Sequence, residues 1–399
     1  MPGHHVPLTD ALLEADTYAG DPHAVFAELR ATGPLAWNDT KGFWAVTHHA
    51  EALAASTDPA TFCSGRGILV EEIGRTYDSP PTMMHTDPPA HTRYRGLAQP
   101  AFKPSAMRGM ESKVLALAAM LVGALPDGEP VDVVHELAEP FPLMVIGWLL
   151  GMDGSDQDKL VAWSNASIPG AGDFTDDERL TLMGEMTVEL LGLAAAASAD
   201  GSPDDGLIAT LANVEVDGER LTTDELGMFL IQFLVAGNET TRNALSGGLV
   251  ALAERPDAWA RLRDDRALIP VAVEEILRWT TPVISFMRTA TRDCGLGGVE
   301  VAAGDPLLLV YASANRDEAA FGPTAATFDV TRDPNHHLAF GFGTHFCLGA
   351  ALARMELRIA LQLLLDRFAT FELAGSVSRS GSAVIAGVRS APMLFSHPA

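Results

Sequence analysis

Residues 340–349 read FGFGTHFCLG and run straight into AALARMELRIALQLLLDRF at 350–368. The second piece carries Leu352, Met355, Ile359, Leu363 and Phe368 at the three-to-five residue spacing of a buried helix face. The first piece is a Gly-rich loop with a cysteine near its end. Cys347 is therefore expected where a helix opens, beside backbone N–H groups without intrahelical partners and the positive end of the helix dipole. That setting favours thiolate, the form a soft metal binds. Gly341, Gly343 and Gly349 let backbone pass close to a large flat object without Cβ clashes. His345, two residues before the cysteine, can donate to an anionic group beside the metal. A lone cysteine in a turn is more often buried and inert, but Phe340, Gly343, His345, Cys347 and Gly349 agreeing within ten residues is a far more specific pattern.

That pattern resembles the haem-binding loop of the cytochrome P450 family. The resemblance implies that Cys347 is the axial thiolate of haem b iron, donating electron density that favours O–O cleavage. It also implies that Phe340, Gly341 and Gly349 flank the haem. A length of 399 residues alone suggests two or three domains, yet no linker, low-complexity run or repeat divides the chain. The resemblance instead implies one domain over 1–399, mainly α with small β-sheets, and a hydrophobic content of 47% supplies its core.

The N-terminal MPGHHVPLTD lacks the pattern of a signal peptide, and the apolar runs 141–152 and 226–236 fall short of the roughly 20 residues that cross a bilayer. Three cysteines give no even framework, so a reducing cytoplasm is expected, with Cys63 and Cys294 as free thiols. The resemblance is to soluble, monomeric bacterial members. A formal charge of −25 disfavours nucleic acid. Against that trend, 91–113 holds Arg93, Arg95, Lys103, Arg108 and Lys113 with only Glu111 opposing. Such an island is either a site for an anionic partner or a solvated helix face.

Residues 21–32 predict a helix capped by Asp21 with Pro22 at its first position, and 35–37 with 42–46 predict a hairpin around Asn38 and Asp39. Residues 62–81 lack any period and carry Ile68, Leu69, Val70 and Ile73, which by resemblance belong to a substrate lid. A second lid loop is expected at 167–177, and an acidic turn at 200–205. Pro88 and Pro89 predict a helix with His91 and Arg95 at i and i+4 on one face. Alone that is an ordinary surface pair. The resemblance makes His91, Arg95, Arg288 and His345 the partners of the two haem carboxylates, whose burial requires charge-assisted hydrogen bonds.

Thr222 and Glu225 form a capping-box signature for a helix reaching Glu254, some 45 Å at about 1.5 Å per residue. Its middle, AGNETT at 236–241, is a weak point for a helix. Taken alone, Gly237 is tolerated and the threonine hydroxyls bond back one turn. By resemblance this motif lies over the haem at Ala236, with Thr240 bonding bound oxygen and Glu239 relaying protons. Glu replaces the commoner Asp. Glu275 and Arg278, an i,i+3 pair worth tenths of a kcal/mol when solvated, are by resemblance buried and structural, with Arg332 as third member. Residues 281–287 read as strand and cavity wall.

The family implies a monooxygenase that hydroxylates a C–H bond with O2 and two electrons from NAD(P)H through a ferredoxin reductase and ferredoxin. A peroxide-driven variant is disfavoured because Glu239 and Thr240 are present, and a zinc site at His345 and Cys347 lacks two further ligands. A non-catalytic haem sensor would carry an output segment. The expected pocket residues, Ile68, Leu69, Val235, Val283, Ile284, Phe286, Val384 and Ile385, are all apolar and point to a neutral terpenoid, steroid or similar hydrophobe.

Overall fold

The capping box at Thr222 forms as expected. Thr222 Oγ1 accepts from the Glu225 N–H at 3.2 Å, and Glu225 Oε2 accepts from the Thr222 N–H at 2.9 Å. From there the computed structural model, which describes residues 8–76, 82–152, 156–167, 174–200, 207–216 and 218–397, carries one helix over Thr223–Ala253. This helix is unbroken through 236–241. Gly237 is not a break. A Cβ there would lie 2.9 Å from Ile146 Cδ1, so the glycine lets the helix Pro140–Leu149 pack close.

Around the long helix pack Asp176–Asp200, Pro140–Leu149, Ile269–Thr280 and Ala350–Arg367. One apolar core joins them, with Phe141, Phe229, Leu234, Leu249, Ile276 and Leu361 buried in it. The helix after the cysteine loop also lies along Pro104–Ala124. The fold is mainly helical with small sheets, as expected.

The largest sheet has the order Leu35–Asn38, Phe43–Val46, Pro306–Val310, Ser285–Ala290, Phe62–Cys63. Its first two strands are the expected hairpin, with Leu35 opposite Val46. The helix Pro22–Thr32 starts where expected, Asp21 Oδ1 accepting from the His23 N–H at 3.0 Å. The strand read over 281–287 is shorter. Thr281 ends the preceding helix in a left-handed conformation (φ +39°), Pro282 has no N–H for a ladder, and regular pairing begins only at Ser285. The loop at 167–177 and the acidic turn at 200–205 lie largely outside the described residues. Cys63 and Cys294 are free thiols.

Beneath the core, Glu275 and Arg278 are fully buried. Arg278 spends all five N–H donors: on both Glu275 oxygens at 2.7 and 2.8 Å, and on the carbonyls of Asn315, Ala325 and Thr327 at 2.8, 2.7 and 2.9 Å. Arg332 completes the group, its Nε donating to Glu275 at 3.1 Å.

Candidate functional site

The cysteine loop is held by its own backbone. The Cys347 N–H donates to the Phe340 carbonyl at 2.8 Å and the Phe346 N–H to that of Gly343 at 3.1 Å. Gly341 and Gly343 both have left-handed φ, +64° and +66°. At Gly343 the need is also steric and local. A Cβ would sit 2.3 Å from the Ser56 carbonyl oxygen, so it is the helix His49–Thr57, not a flat ligand, that excludes a side chain there. Gly349 differs, with nothing within 4 Å of the place a Cβ would take.

The helix itself starts at Ala350, so Cys347 lies outside its first turn. The dipole argument for a thiolate is correspondingly weakened: burial pushes the Cys347 thiol up, while the Gly349 N–H, Arg95 and Arg354 pull it down. Deprotonation at this sulfur therefore calls for a cation brought to it. Among the described residues, no group of three or more His, Cys, Asp and Glu side chains is placed to hold a bare metal ion. A metal at Cys347 has to arrive with most of its own ligands, as in a macrocycle.

Anion donors converge beside this loop. The His91 and His345 rings lie 4.3 Å apart, and Ser64 Oγ is 3.2 Å from His345 Nε2. Arg95 turns inward, donating to the Phe346 carbonyl at 2.7 Å and to that of Thr344 at 3.5 Å. Arg288 is buried and donates to the Met287 carbonyl at 2.7 Å. His91 is 1% exposed, yet its Nε2 has no partner. Burial first, and then the charges of Arg288, His91, Arg95 and His85, depress His345 to about 2. Burial and Arg95 bring His91 down to about 4. Such a crowd of mutually repelling donors, one of them a buried orphan, fits a dianion. The residues present therefore suit haem: a soft sulfur for iron and four donors for two carboxylates.

Ala236 is accessible in the middle of the otherwise buried long helix, and Val235 and Thr240 are half-buried beside it. Thr240 Oγ1 bonds back to the Ala236 carbonyl at 2.7 Å. Glu239 is buried and paired with Arg242, both of its oxygens 3.1 Å from Nη1, and Arg242 also reaches Glu139 at 3.3 Å. Burial raises the Glu239 carboxyl, Arg242 lowers it and Glu139 raises it again. The sequence reading missed Arg242 and Glu139. The i,i+3 spacing of Glu239 and Arg242 was available as a signal, whereas Glu139 comes from the N-cap of another helix, Pro140–Leu149.

Of the residues expected to line the pocket, Ile68, Val283, Ile284, Phe286, Val384 and Ile385 meet around one strand. The Ile68 carbonyl accepts from the Met287 N–H at 2.8 Å, the Val384 carbonyl from the Ile284 N–H at 2.8 Å, and Val283 bridges Ile385. Ile68 is buried and Leu69 half-buried, and Ile284 packs into a core with Leu12, Phe26 and Val310. Glu72 anchors this segment, its Oε2 accepting from the Ile68 and Leu69 N–H groups at 2.7 and 3.0 Å.

The basic island is less free than its sequence suggests. Arg93 is engaged by Glu219 and Glu225, and Arg358 by Glu111, so neither offers an open cation to a partner. Lys103, Arg108 and Lys113 are exposed. Behind the cysteine, Arg354 clasps Glu274 at 2.7 and 2.8 Å and stacks on Phe340 at 4.5 Å.

Residues 185–377 match the family model described as cytochrome P450. Linalool 8-monooxygenase of Pseudomonas putida is 36% identical over 386 residues, 92% of this chain and 94% of that protein. Steroid C26-monooxygenase of Mycobacterium tuberculosis is 34% identical over 390 residues, 96% of each. The crystal structure of CYP108D1 from Novosphingobium aromaticivorans superimposes with a TM-score of 0.88 at 33% identity, covering 98% of both chains.

Proposed function

The chain belongs to the cytochrome P450 family and is a haem-dependent monooxygenase; from that premise we propose that it hydroxylates a C–H bond of a neutral terpenoid, steroid or similar hydrophobe. Bound haem supplies dioxygen activation, inserting one oxygen atom into the substrate while two electrons and two protons carry the other away as water. Cys347 Sγ would hold the iron, and Arg95, Arg288, His91 and His345 would hold the two carboxylates, with Phe340, Gly341, Gly349 and Ala236 beside the ring.

Glu239 is the proton store. Burial lifts its carboxyl above the ordinary carboxylate range, which suits a group that takes up and returns a proton. It passes that proton toward Thr240 Oγ1, which first releases the Ala236 carbonyl. Glu275 and Arg278 take no part in the chemistry and fix the scaffold. The observation that carries the assignment is the meeting, at one loop, of the half-buried Cys347 with the His91, His345, Arg95 and Arg288 donors. In the ferrous–CO difference spectrum, the red-shifted Soret band of thiolate ligation is expected for the parent and lost in Cys347→His. Its retention there refutes the ligand.

The substrate class is supported by the apolar segments gathered around the strand Ser285–Ala290 and by relatives named for linalool and for a steroid. Val235, Leu69 and Phe286 complete the wall. Neutral terpenoids and steroids should shift ferric haem from low to high spin at lower concentration than size-matched carboxylates; the reverse order rejects the class. Electrons come from NAD(P)H through a reductase and a ferredoxin to a monomeric, cytoplasmic enzyme. Among the described residues no helix is long and apolar enough to cross a membrane. The ferredoxin docks at Lys103, Arg108 and Lys113, over the groove between Pro104–Ala124 and Ala350–Arg367 that Met107, Arg108, Met355 and Arg358 line. Reversing Lys103 and Arg108 together should slow its electron transfer and leave substrate spectra unchanged. A parental rate across a salt titration excludes the patch.

A further inference from the structure

Neighbouring positions on a helix point roughly 100° apart, so Glu239 and Thr240 face different surroundings. Glu239 and its partner Arg242 face the C-terminal segment that carries Ser382, Gly387 and Arg389, and Arg242 also reaches Glu139 and Asn165 of the helix Gln157–Ser167. Between the long helix and that C-terminal segment lies a cavity of about 10 Å³, lined by Glu239, Arg242, Asn243, Ser382, Gly387 and Arg389 among others. Arg389, at one edge, is solvent-exposed. Glu239, also in the lining, is 3% exposed.

The polar atoms on this cavity are unusually short of partners. Arg242 Nη1 is divided among Glu239, Glu139 and Asn165 Oδ1, the last at 3.4 Å, while its Nε is buried without a partner. Asn243 is 2% exposed, and neither its Oδ1 nor its Nδ2 is hydrogen-bonded. Native proteins leave few such buried orphans. The room suits one water molecule, which needs two to four polar partners and roughly 10–15 Å³.

We propose that this chamber is a binding site for a single water that hands protons to Glu239, and that Asn243 is the positioning residue that fixes it. The water accepts from Asn243 Nδ2 and Arg242 Nε and donates to the Glu239 carboxylate. When Glu239 gives its proton inward to Thr240, it takes one from this water, which takes one in turn from solvent at the Arg389 edge. One proton moves and no electron does. Ser382 Oγ already accepts from the Val384 and Ile385 N–H groups at 3.3 and 3.2 Å, so it keeps the rim of the chamber in shape. The proposal rests on the assignment of Glu239 as the proton store.

The test closes the chamber from either side. Asn243→Leu removes the amide and fills the space. Gly387→Ala puts a methyl 2.5 Å from Ser380 Oγ and 3.7 Å from Asn243 Oδ1. The first readout needs no turnover: in the resting ferric enzyme, at a pH where the C=O stretch of protonated Glu239 is present and is identified by its loss in Glu239→Gln, that band is followed after transfer into D2O. Both closed variants should slow its isotope exchange roughly tenfold or more, and Asn243→Ser, which leaves room for water, should restore it. During turnover the closed variants should send more reducing equivalents to peroxide, with an unchanged substrate-induced spin shift. Exchange at the parental rate in the closed variants overturns the proposal. Should Asn243→Leu fail to fold, Gly387→Ala decides. Glu239→Gln separates the two levels: full coupling in that variant removes Glu239 as the proton store, whereas uncoupling there beside parental exchange in the closed variants removes only the chamber.

Discussion

Two Glu–Arg pairs in this molecule share one spelling and have opposite character. Glu275 with Arg278 and Glu239 with Arg242 are both i,i+3 pairs on helices, and both are buried. In the first, every guanidinium N–H is used and Glu275 also receives the Asp329 N–H at 2.7 Å and Asn335 Nδ2 at 3.1 Å. In the second, one cation is divided between two carboxylates, its Nε is left over, and an unbonded Asn243 adjoins it. A fully satisfied buried network has one arrangement and resists change. A partly satisfied one can gain or lose a proton at small cost. The difference separates scaffold from chemistry where the sequence spacing cannot.

The comparison breaks most easily at Arg278. Arg278→Ala leaves the Glu275 charge buried and should cost about 3–5 kcal/mol, read as a loss of the denaturant midpoint or of folded protein altogether. If it unfolds no more readily than Arg242→Met, the distinction between the pairs is wrong. Arg242→Met should cost less, about 1–3 kcal/mol, and its cost should depend on pH. Without the cation, the already raised Glu239 carboxyl rises further, so the folded state holds more protons than the unfolded state above the ordinary Glu range near 4.3. Stability of this variant relative to the parent should therefore fall as pH rises and recover as pH drops toward that range. A pH-independent difference would count against the raised carboxyl.

A third cluster sharpens the comparison further. His91 and His345 are depressed to about 4 and about 2, so between pH 6.5 and 4 the unfolded chain binds protons that the folded, cofactor-free protein refuses. Thermal stability of haem-free protein should fall across that window. The fall should be smaller with haem bound, because its carboxylates favour the charged imidazoles. Equal slopes with and without haem would separate these histidines from the carboxylates. The smallest stability effect belongs to Thr240→Ala, within about 0.5 kcal/mol, since its hydroxyl only bonds back to its own helix. The same variant should nonetheless divert electrons to peroxide, and coupled turnover would remove Thr240 from proton delivery.

These contrasts also mark what one sequence can convey. The cysteine loop, the capped long helix and the Glu275–Arg278–Arg332 group were legible because their residue types sit at fixed short spacings or in a known order. Arg93 read as a free surface cation because Glu219 and Glu225 lie more than a hundred positions away. Gly343 read as clearance for a flat ligand because nothing local announces the Ser56 carbonyl. Gly237 read as a functional flaw in a helix, and its partner Ile146 comes from another one. Each misreading has the same source: the deciding neighbour is distant in sequence, and packing supplies it.

The contact between Ser64 and His345 spans 281 residues, and at about 5–20 residues per second their syntheses are separated by roughly 15–60 s. Half of the anion cradle therefore leaves the ribosome well before the other half exists. During that interval His91 and Arg95 have neither the loop nor its prosthetic group to answer them. Water must serve, so this part of the chain stays open by necessity until the final quarter emerges. Cofactor capture is in that sense a post-translational event, and the nascent protein cannot commit to its catalytic centre until almost all of it has been made.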